Sequence, residues 1–411
     1  MNTLALVAAL AAQATEPSGS TATDAGIKGA NQLGSTNFVE LEAAAGYSTN
    51  PRQDIIGSTG SGFGRFSITG VHSTVSARTT TMISALAQEN VYTSNGSNFS
   101  AHVRAYHTAH VSEHLNVYGT LEGSIDKGGQ LDNQILGNPL GPGIPSTPQP
   151  IVLLPGQDSL FVRGRTFRVR ADGGGSIALS ELDSLHLRSG FEYLDSKSAL
   201  FTTRYTTIPV AFGYDRTLGT RTTVGLEVQY HHTDYSGSRS FWDISPRLTV
   251  TRRLAEQTNL SASFGPSFAT NKDVTGTQHS TGVAGDLSIC SSSERSDFCG
   301  TVSLSQQVAT AFGTSKSISA NIHYSRRLDA NQTLRFSVEG NRYSSSRTLV
   351  TVNSFSNATY VRGAADYSRR FGSRWYAGAT VAARKLVEPG PDPKMDFSGS
   401  LFIRYRLGDI G

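Results

Sequence analysis

The sequence predicts an all-β protein, a closed antiparallel transmembrane β-barrel of about 18 strands, with about 16 as the alternative count. Three observations predict it. Apolar and polar residues alternate with a period of two along most of the chain. The alternating runs are about 10 to 14 residues long, whereas strands of soluble sheets run about five or six and a tilted membrane-crossing strand needs about 9 to 11. Their polar faces carry charge in mid-run, which a packed sandwich core rejects and a water-filled lumen accepts.

Composition agrees. The chain has 411 residues, 37% hydrophobic, 17% charged, with 42 Gly and a net charge of +4. The charged share is below the roughly 25% usual for soluble chains, and the balance of charge is too even for a nucleic-acid binder. The longest apolar run, Leu4 to Ala12, is about half of what a membrane-spanning helix requires. Backbone groups in a bilayer must all be paired, so a membrane-crossing sheet has to close on itself.

Taken in order, residues 1–14 read as a signal peptide, with an apolar stretch ending in the small-x-small site Ala12-Gln13-Ala14. Residues 15–35, rich in Gly, Ser, Thr and Ala, read as a flexible lead-in to a single barrel over 36–411. Strands are expected near 37–48, 61–73, 77–91, 97–111, 114–126, 160–179, 184–195, 200–217 and 222–235. They continue near 241–254, 258–270, 281–290, 299–310, 316–328, 332–345, 358–370, 374–387 and 396–408. An even number places both termini on the periplasmic side. The phase slips inside 160–179: Arg163 and Arg165 have one parity, Arg168 and Arg170 the other. A bulge near Thr166 is expected to bring all four into the lumen. Between strands, the proline-rich stretch within 127–159 reads as a long outer loop, either solvated or folded inward to narrow the pore.

A weak repeat marks the turns. Tyr214-Asp-Arg-Thr-Leu-Gly, Val250-Thr-Arg-Arg-Leu-Ala, Tyr324-Ser-Arg-Arg-Leu-Asp and Tyr367-Ser-Arg-Arg-Phe-Gly each join an arginine-bearing strand end to a tight polar turn. Cys290 and Cys299 flank a short polar stretch and are expected to form a disulfide across a hairpin turn in the oxidising periplasm.

The chemistry is expected on the inner wall. Arg163, Arg165, Arg168, Arg170, Arg188, Arg247, Arg335, Arg362, Arg384, Arg404 and Arg406 stand opposite apolar faces, with Glu42, Glu122, Glu192, Glu227, Asp243, Glu339 and Asp366 as inward acids. Guanidinium groups around a water-filled constriction draw anions such as uronate or phosphate. Equally, arginines and acids on neighbouring strands can pair and brace the wall. His231-His232-Thr233-Asp234 and the set His102, Arg104, Tyr106, His107, His110 read as ordinary surface or interface residues, since neighbours such as His231 and His232 point to opposite faces. Tyr47, Tyr193, Tyr230, Tyr235, Phe241 and Trp242 are expected in an aromatic girdle near the outer strand ends. No serine stands in a nucleophile motif and no Cys/His spacing suggests zinc, so neither an enzyme nor a cofactor is expected.

The arginine-bearing turns, the opening Ala45-Gly46-Tyr47-Ser48-Thr49-Asn50-Pro51 and the strand-long alternation resemble the beta-barrel porin 2 family of outer-membrane proteins. The likeness spans nearly the whole mature chain through short, degenerate motifs. Outer-membrane barrels commonly end on an aromatic, a place that Tyr405 would fill from an inset position. The resemblance implies a bacterial outer-membrane channel for polar solutes or a glycan. Alternatively it implies a conduit for secreted exopolysaccharide working with periplasmic export proteins; a barrel-embedded hydrolase and an adhesin are the remaining readings. Outer-membrane lipid and lipopolysaccharide would surround it.

Overall fold

The computed structural model describes residues 34–51, 60–94, 96–127, 164–198, 202–236, 239–273, 276–309, 313–345, 357–387 and 395–408. The expected signal peptide, nearly all of the lead-in and nearly all of the 127–159 loop, together with Arg163, lie outside the described residues.

Eighteen strands follow one another. They are β1 (Gly34–Ser48), β2 (Ser61–Val75), β3 (Thr79–Tyr92), β4 (Gly96–His110), β5 (Leu115–Asp126) and β6 (Gly164–Ala178). Next come β7 (Asp183–Ser198), β8 (Thr202–Thr217), β9 (Thr222–Tyr235), β10 (Arg239–Ala255), β11 (Thr258–Asp273) and β12 (Gly276–Ser292). The last are β13 (Ser296–Ala309), β14 (Gly313–Arg327), β15 (Gln332–Ser345), β16 (Asn357–Phe371), β17 (Trp375–Val387) and β18 (Asp396–Gly408). Each pairs antiparallel with its sequence neighbours, and β1 also pairs with β18, from Phe38 opposite Gly408 to Ser48 opposite Ser398. The sheet therefore has no free edge. Eighteen, not sixteen, is the count.

The period-two pattern decides which side of this wall each residue takes. Outward positions form an exposed apolar belt that includes Leu41, Phe66, Leu121, Phe212, Leu226, Phe264, Val381 and Leu401. Such a surface is stable only against lipid. The alternate positions point inward and are mostly charged, hydroxylic or small: on β18 they are Asp396, Ser398, Ser400, Phe402, Arg404 and Arg406.

The two ends differ. Connections of two to four residues close one end, between β2 and β3, β4 and β5 and so on to β16 and β17. The four longest connections, β1–β2, β5–β6, β15–β16 and β17–β18, all leave the other end. Short turns mark the periplasmic rim and long loops the outer one. All four arginine-bearing turn motifs fall on the periplasmic rim.

Two local expectations are corrected by the register. In β6 the pairing runs without a break from Gly164 opposite Ser198 to Ala178 opposite Ser184, so there is no bulge near Thr166. Thr166 points inward and is buried, Phe167 points outward, and Arg165 is therefore an exposed residue of the outer surface rather than the lumen. The expected outer girdle loses two of its six members, Tyr235 and Phe241, to the same parity. Tyr47, Tyr193, Tyr230 and Trp242 face outward, whereas Phe241 is buried on the inner side against Ala269 and Tyr235. Phe241 and Trp242 are adjacent in one strand and cannot share a face. A periplasmic girdle is present as well, with Trp375 and Tyr405 packed at 4.6 Å between ring centroids.

Cys290 and Cys299 are directly opposite each other across β12 and β13 and are bonded, close to the periplasmic turn. Replacing both by serine should lower the stability of the detergent-solubilised protein by about 2–3 kcal/mol, the closure entropy of a loop of roughly ten residues. The urea midpoint measured with and without reductant checks this. Equal midpoints would mean that the neighbouring ladder already fixes the hairpin in the unfolded ensemble.

Candidate functional site: the charged inner wall

Cross-strand register determines which inward charges meet. At the seam that closes the barrel, Glu42 lies opposite Arg404 and Glu40 opposite Arg406. Arg404 Nε donates to Glu42, Arg65 approaches the same carboxylate at 2.7 Å, and Arg406 donates to Glu40 at 3.1 Å. The guanidinium of Arg404 stacks on Phe402 at 4.1 Å from the ring centroid and that of Arg406 on Phe38 at 4.3 Å. This explains an aromatic on the arginine face of β18, since a planar cation is held between a carboxylate and a ring. Toward the outer end, Arg384 Nε donates to Asp396 at 2.9 Å and another of its nitrogens to the Pro51 carbonyl at 2.7 Å. Asp396 also accepts from Ser48 Oγ and the Asn50 amide, each at 2.7 Å, so the last strand is tied to the segment after the first.

The side chains of this cluster are buried: Arg65, Glu40, Glu42, Arg384, Arg404 and Arg406 are all under 9% exposed. Arg362, 3.7 Å from Glu339, is buried too. The pore-lining expectation for Arg362, Arg384, Arg404 and Arg406 is thus corrected in part. They face inward as the alternation requires, but they are enclosed among their partners and are not wetted. Arg335 lies opposite Asp366 across β15 and β16.

A second arc, β4 to β7, is built differently. Arg104, Glu122, Arg170 and Glu192 stand directly opposite one another across four strands and give a row of alternating sign. Arg104 is 3.1 Å from Glu122, Arg168 donates to Glu192 at 2.8 Å, and Arg170 Nε donates to Asp172 at 2.5 Å. Tyr205 closes the row by donating to Glu192 at 2.8 Å. Below it, Arg188 donates to Glu227 at 3.2 Å. The side chains of Arg170 and Arg188 are each 39% exposed although they point inward, and Tyr118 beside them is 37% exposed. Inward side chains can be that accessible only if this part of the interior is wet. Further along the wall, on β10, Arg247 is buried and pairs at 2.7 Å with Asp286, whose side chain is 51% exposed.

One cluster escaped the sequence analysis. His186 lies between two carboxylates, with Nδ1 2.9 Å from Asp215 and Nε2 3.1 Å from Glu227. A ring with a carboxylate at both nitrogens is fully satisfied only as the imidazolium, which donates twice. Glycine at 213 and 225 makes room, since a Cβ at either would overlap the His186 ring or the Asp215 carboxylate. The three residues are far apart in sequence and only adjacent registers unite them; glycines on the inward parity were the available signal. Of the histidines considered from the sequence, His231 points inward, 3.2 Å from Asp243, and His232 points outward beside Asp234. Among the described residues no group of three or more His, Cys, Asp or Glu is arranged to hold a metal ion.

A closed 18-stranded sheet with an apolar exterior and a charged interior defines an outer-membrane β-barrel, and the protein belongs in the bacterial outer membrane. No family pattern and no curated protein sequence matches the chain. Among solved structures it is similar to the FrpB iron transporter of Neisseria meningitidis (10% identity, 88% of this chain and 63% of that one, TM-score 0.44). It is also similar to OccK2 of Pseudomonas aeruginosa (8% identity, 91% and 98%, TM-score 0.44). A third is the siderophore receptor PirA of the same organism (8% identity, 92% and 81%, TM-score 0.39). The chain spans less than two thirds of FrpB.

Glu42→Ala removes the carboxylate that Arg65 and Arg404 share and should destabilise the barrel by about 3 kcal/mol, because buried guanidinium groups lose their principal counter-charge. Urea unfolding followed by heat-modifiable gel mobility measures it, with Glu42→Gln as the size-matched control. A midpoint equal to wild type would show the cluster to be solvated.

Proposed function

We propose that the protein is a passive channel for small polar solutes with a preference for anions. The reading is carried by the wet, inward-facing guanidinium groups of Arg170 and Arg188 in a barrel whose strand number leaves room for an aqueous lumen. Arg104 and Arg168, less exposed, extend the same basic track along β4 and β6. Each arginine has an acidic neighbour, so the track attracts anions without holding them tightly, which conduction requires.

A second reading, a conduit for an exopolysaccharide bearing carboxylates, has the support of the family resemblance and of Tyr118. An exposed ring beside alternating charges offers a sugar both an apolar face and hydrogen-bonding partners. Periplasmic export proteins would then be its partners.

Changing Arg170 and Arg188 to glutamine should cut the anion preference in planar-bilayer recordings roughly by half while leaving the protein folded. An unchanged reversal potential would remove these side chains from the conducting path. Uptake of free glucuronate by proteoliposomes without passage of oligosaccharide favours the porin; the converse favours the conduit.

A further inference from the structure

The outer surface carries a charge cluster that the lumen does not use. Arg165 in β6 lies directly opposite Lys197 in β7, both on the outward parity and both exposed. Lys127 follows Asp126, whose partner is Thr166, and so reaches the level of Arg165 from the other side. Three cations therefore stand abreast on three adjacent strands, spaced by about 4.8 Å per strand. Arg204 adds a fourth from β8, 3.3 Å from Asp195, the acid of the group. Further round, Asp234 pairs with His232. Among the described residues, Lys127, Arg165 and Lys197 have no acidic partner; Lys127 rests over the Phe99 ring at 5.8 Å.

Like charges directly opposite in a sheet repel. The height of the cluster says what relieves that repulsion. It lies on the end from which the long loops leave, immediately above Phe167 and Tyr193, whose rings meet edge to face at 6.4 Å. Outward aromatics mark the depth at which acyl chains give way to headgroups. The cations thus stand where the headgroups of the outer leaflet lie, above an apolar face that acyl chains would cover.

We propose that Lys127, Arg165, Lys197 and Arg204 form a binding site for the phosphate groups of a phosphorylated, multiply acylated glycolipid of the outer leaflet, the lipid A part of lipopolysaccharide. Arginine offers its planar fork to phosphate oxygens and the lysines offer point charges. The acyl chains run down over Phe167, Val169 and Tyr193. Correct placement of Arg165 outside the barrel, rather than inside it, is what this site requires.

The test titrates the detergent-solubilised barrel with bis-phosphorylated lipid A and reads occupancy by native mass spectrometry. The variant carrying Lys127→Gln, Arg165→Gln and Lys197→Gln should bind about 100-fold more weakly, from roughly 1 kcal/mol for each cation removed. Lipid A stripped of phosphate should bind wild type no better than it binds the variant. Inorganic phosphate at the same concentration should not compete, because it lacks the chains. Heat-modifiable mobility verifies folding, and the single change Lys197→Gln, expected to weaken binding severalfold, serves if the triple variant does not fold. Equal binding by wild type and variant would overturn the proposal. So would equal binding of the dephosphorylated lipid, or equal displacement by inorganic phosphate or phosphatidylglycerol.

Discussion

Closure of the sheet is the constraint from which the rest follows. A backbone N–H or C=O left unpaired in hydrocarbon costs several kcal/mol, so a strand edge cannot be left open to lipid. The pairing of β1 with β18 over eleven positions removes that edge. Among the described residues it is also the one strand pairing that unites residues more than 340 apart in sequence, and so carries the largest ordering cost. The buried Glu40, Glu42, Arg404 and Arg406 pairs lie along this seam, with the Asp396 cluster at its outer end. Their inclusion there is physically reasonable: a ladder of opposite charges rewards one register and penalises a slip of one or two residues.

Much of the fold was legible because a barrel wall is simple. With lipid outside and water or ion pairs inside, a period of two is enough to place every strand, and all eighteen fall where the alternation puts them. Signals local to one strand or one hairpin held too: the two cysteines, the arginine-bearing turns and the inward parity of residues such as Glu122, Glu192 and Glu227. Where the chain departed from strict alternation, sequence reasoning added a bulge at Thr166 to keep Arg165 inside. The register shows the simpler outcome, in which Arg165, a charged residue near a strand end, faces outward.

What alternation cannot reveal is who stands beside whom. Arg188 and Arg384 both take the inward parity, yet one is wet and the other enclosed. The difference arises from register between strands, which sets Arg384 against Asp396 and the Pro51 carbonyl, just as Phe402 and Phe38 cover Arg404 and Arg406. The His186 cluster is hidden for the same reason. Its members come from β7, β8 and β9 and meet only because two successive hairpins bring Asp215 and Glu227 to the level of His186.

The interior thus divides its charges by what they do. Along the seam they are dry, and removing one partner of such a pair costs about 3–5 kcal/mol. On the β4–β7 arc the guanidinium groups of Arg170 and Arg188 are wetted, and a pair accessible on both sides, such as Arg170–Asp172, contributes about 0–1 kcal/mol. On the proposed reading as a channel, selectivity can therefore change at Arg170 and Arg188 at little cost in stability, while closure is held by the seam. A ring of equally exposed arginines would couple the two, because every alteration of the lumen's charge would also loosen the wall. Placing the enclosed pairs where the sheet must join, and the accessible ones about a third of the circumference away, lets a single charged interior hold the cylinder shut on one arc and keep accessible charge on another.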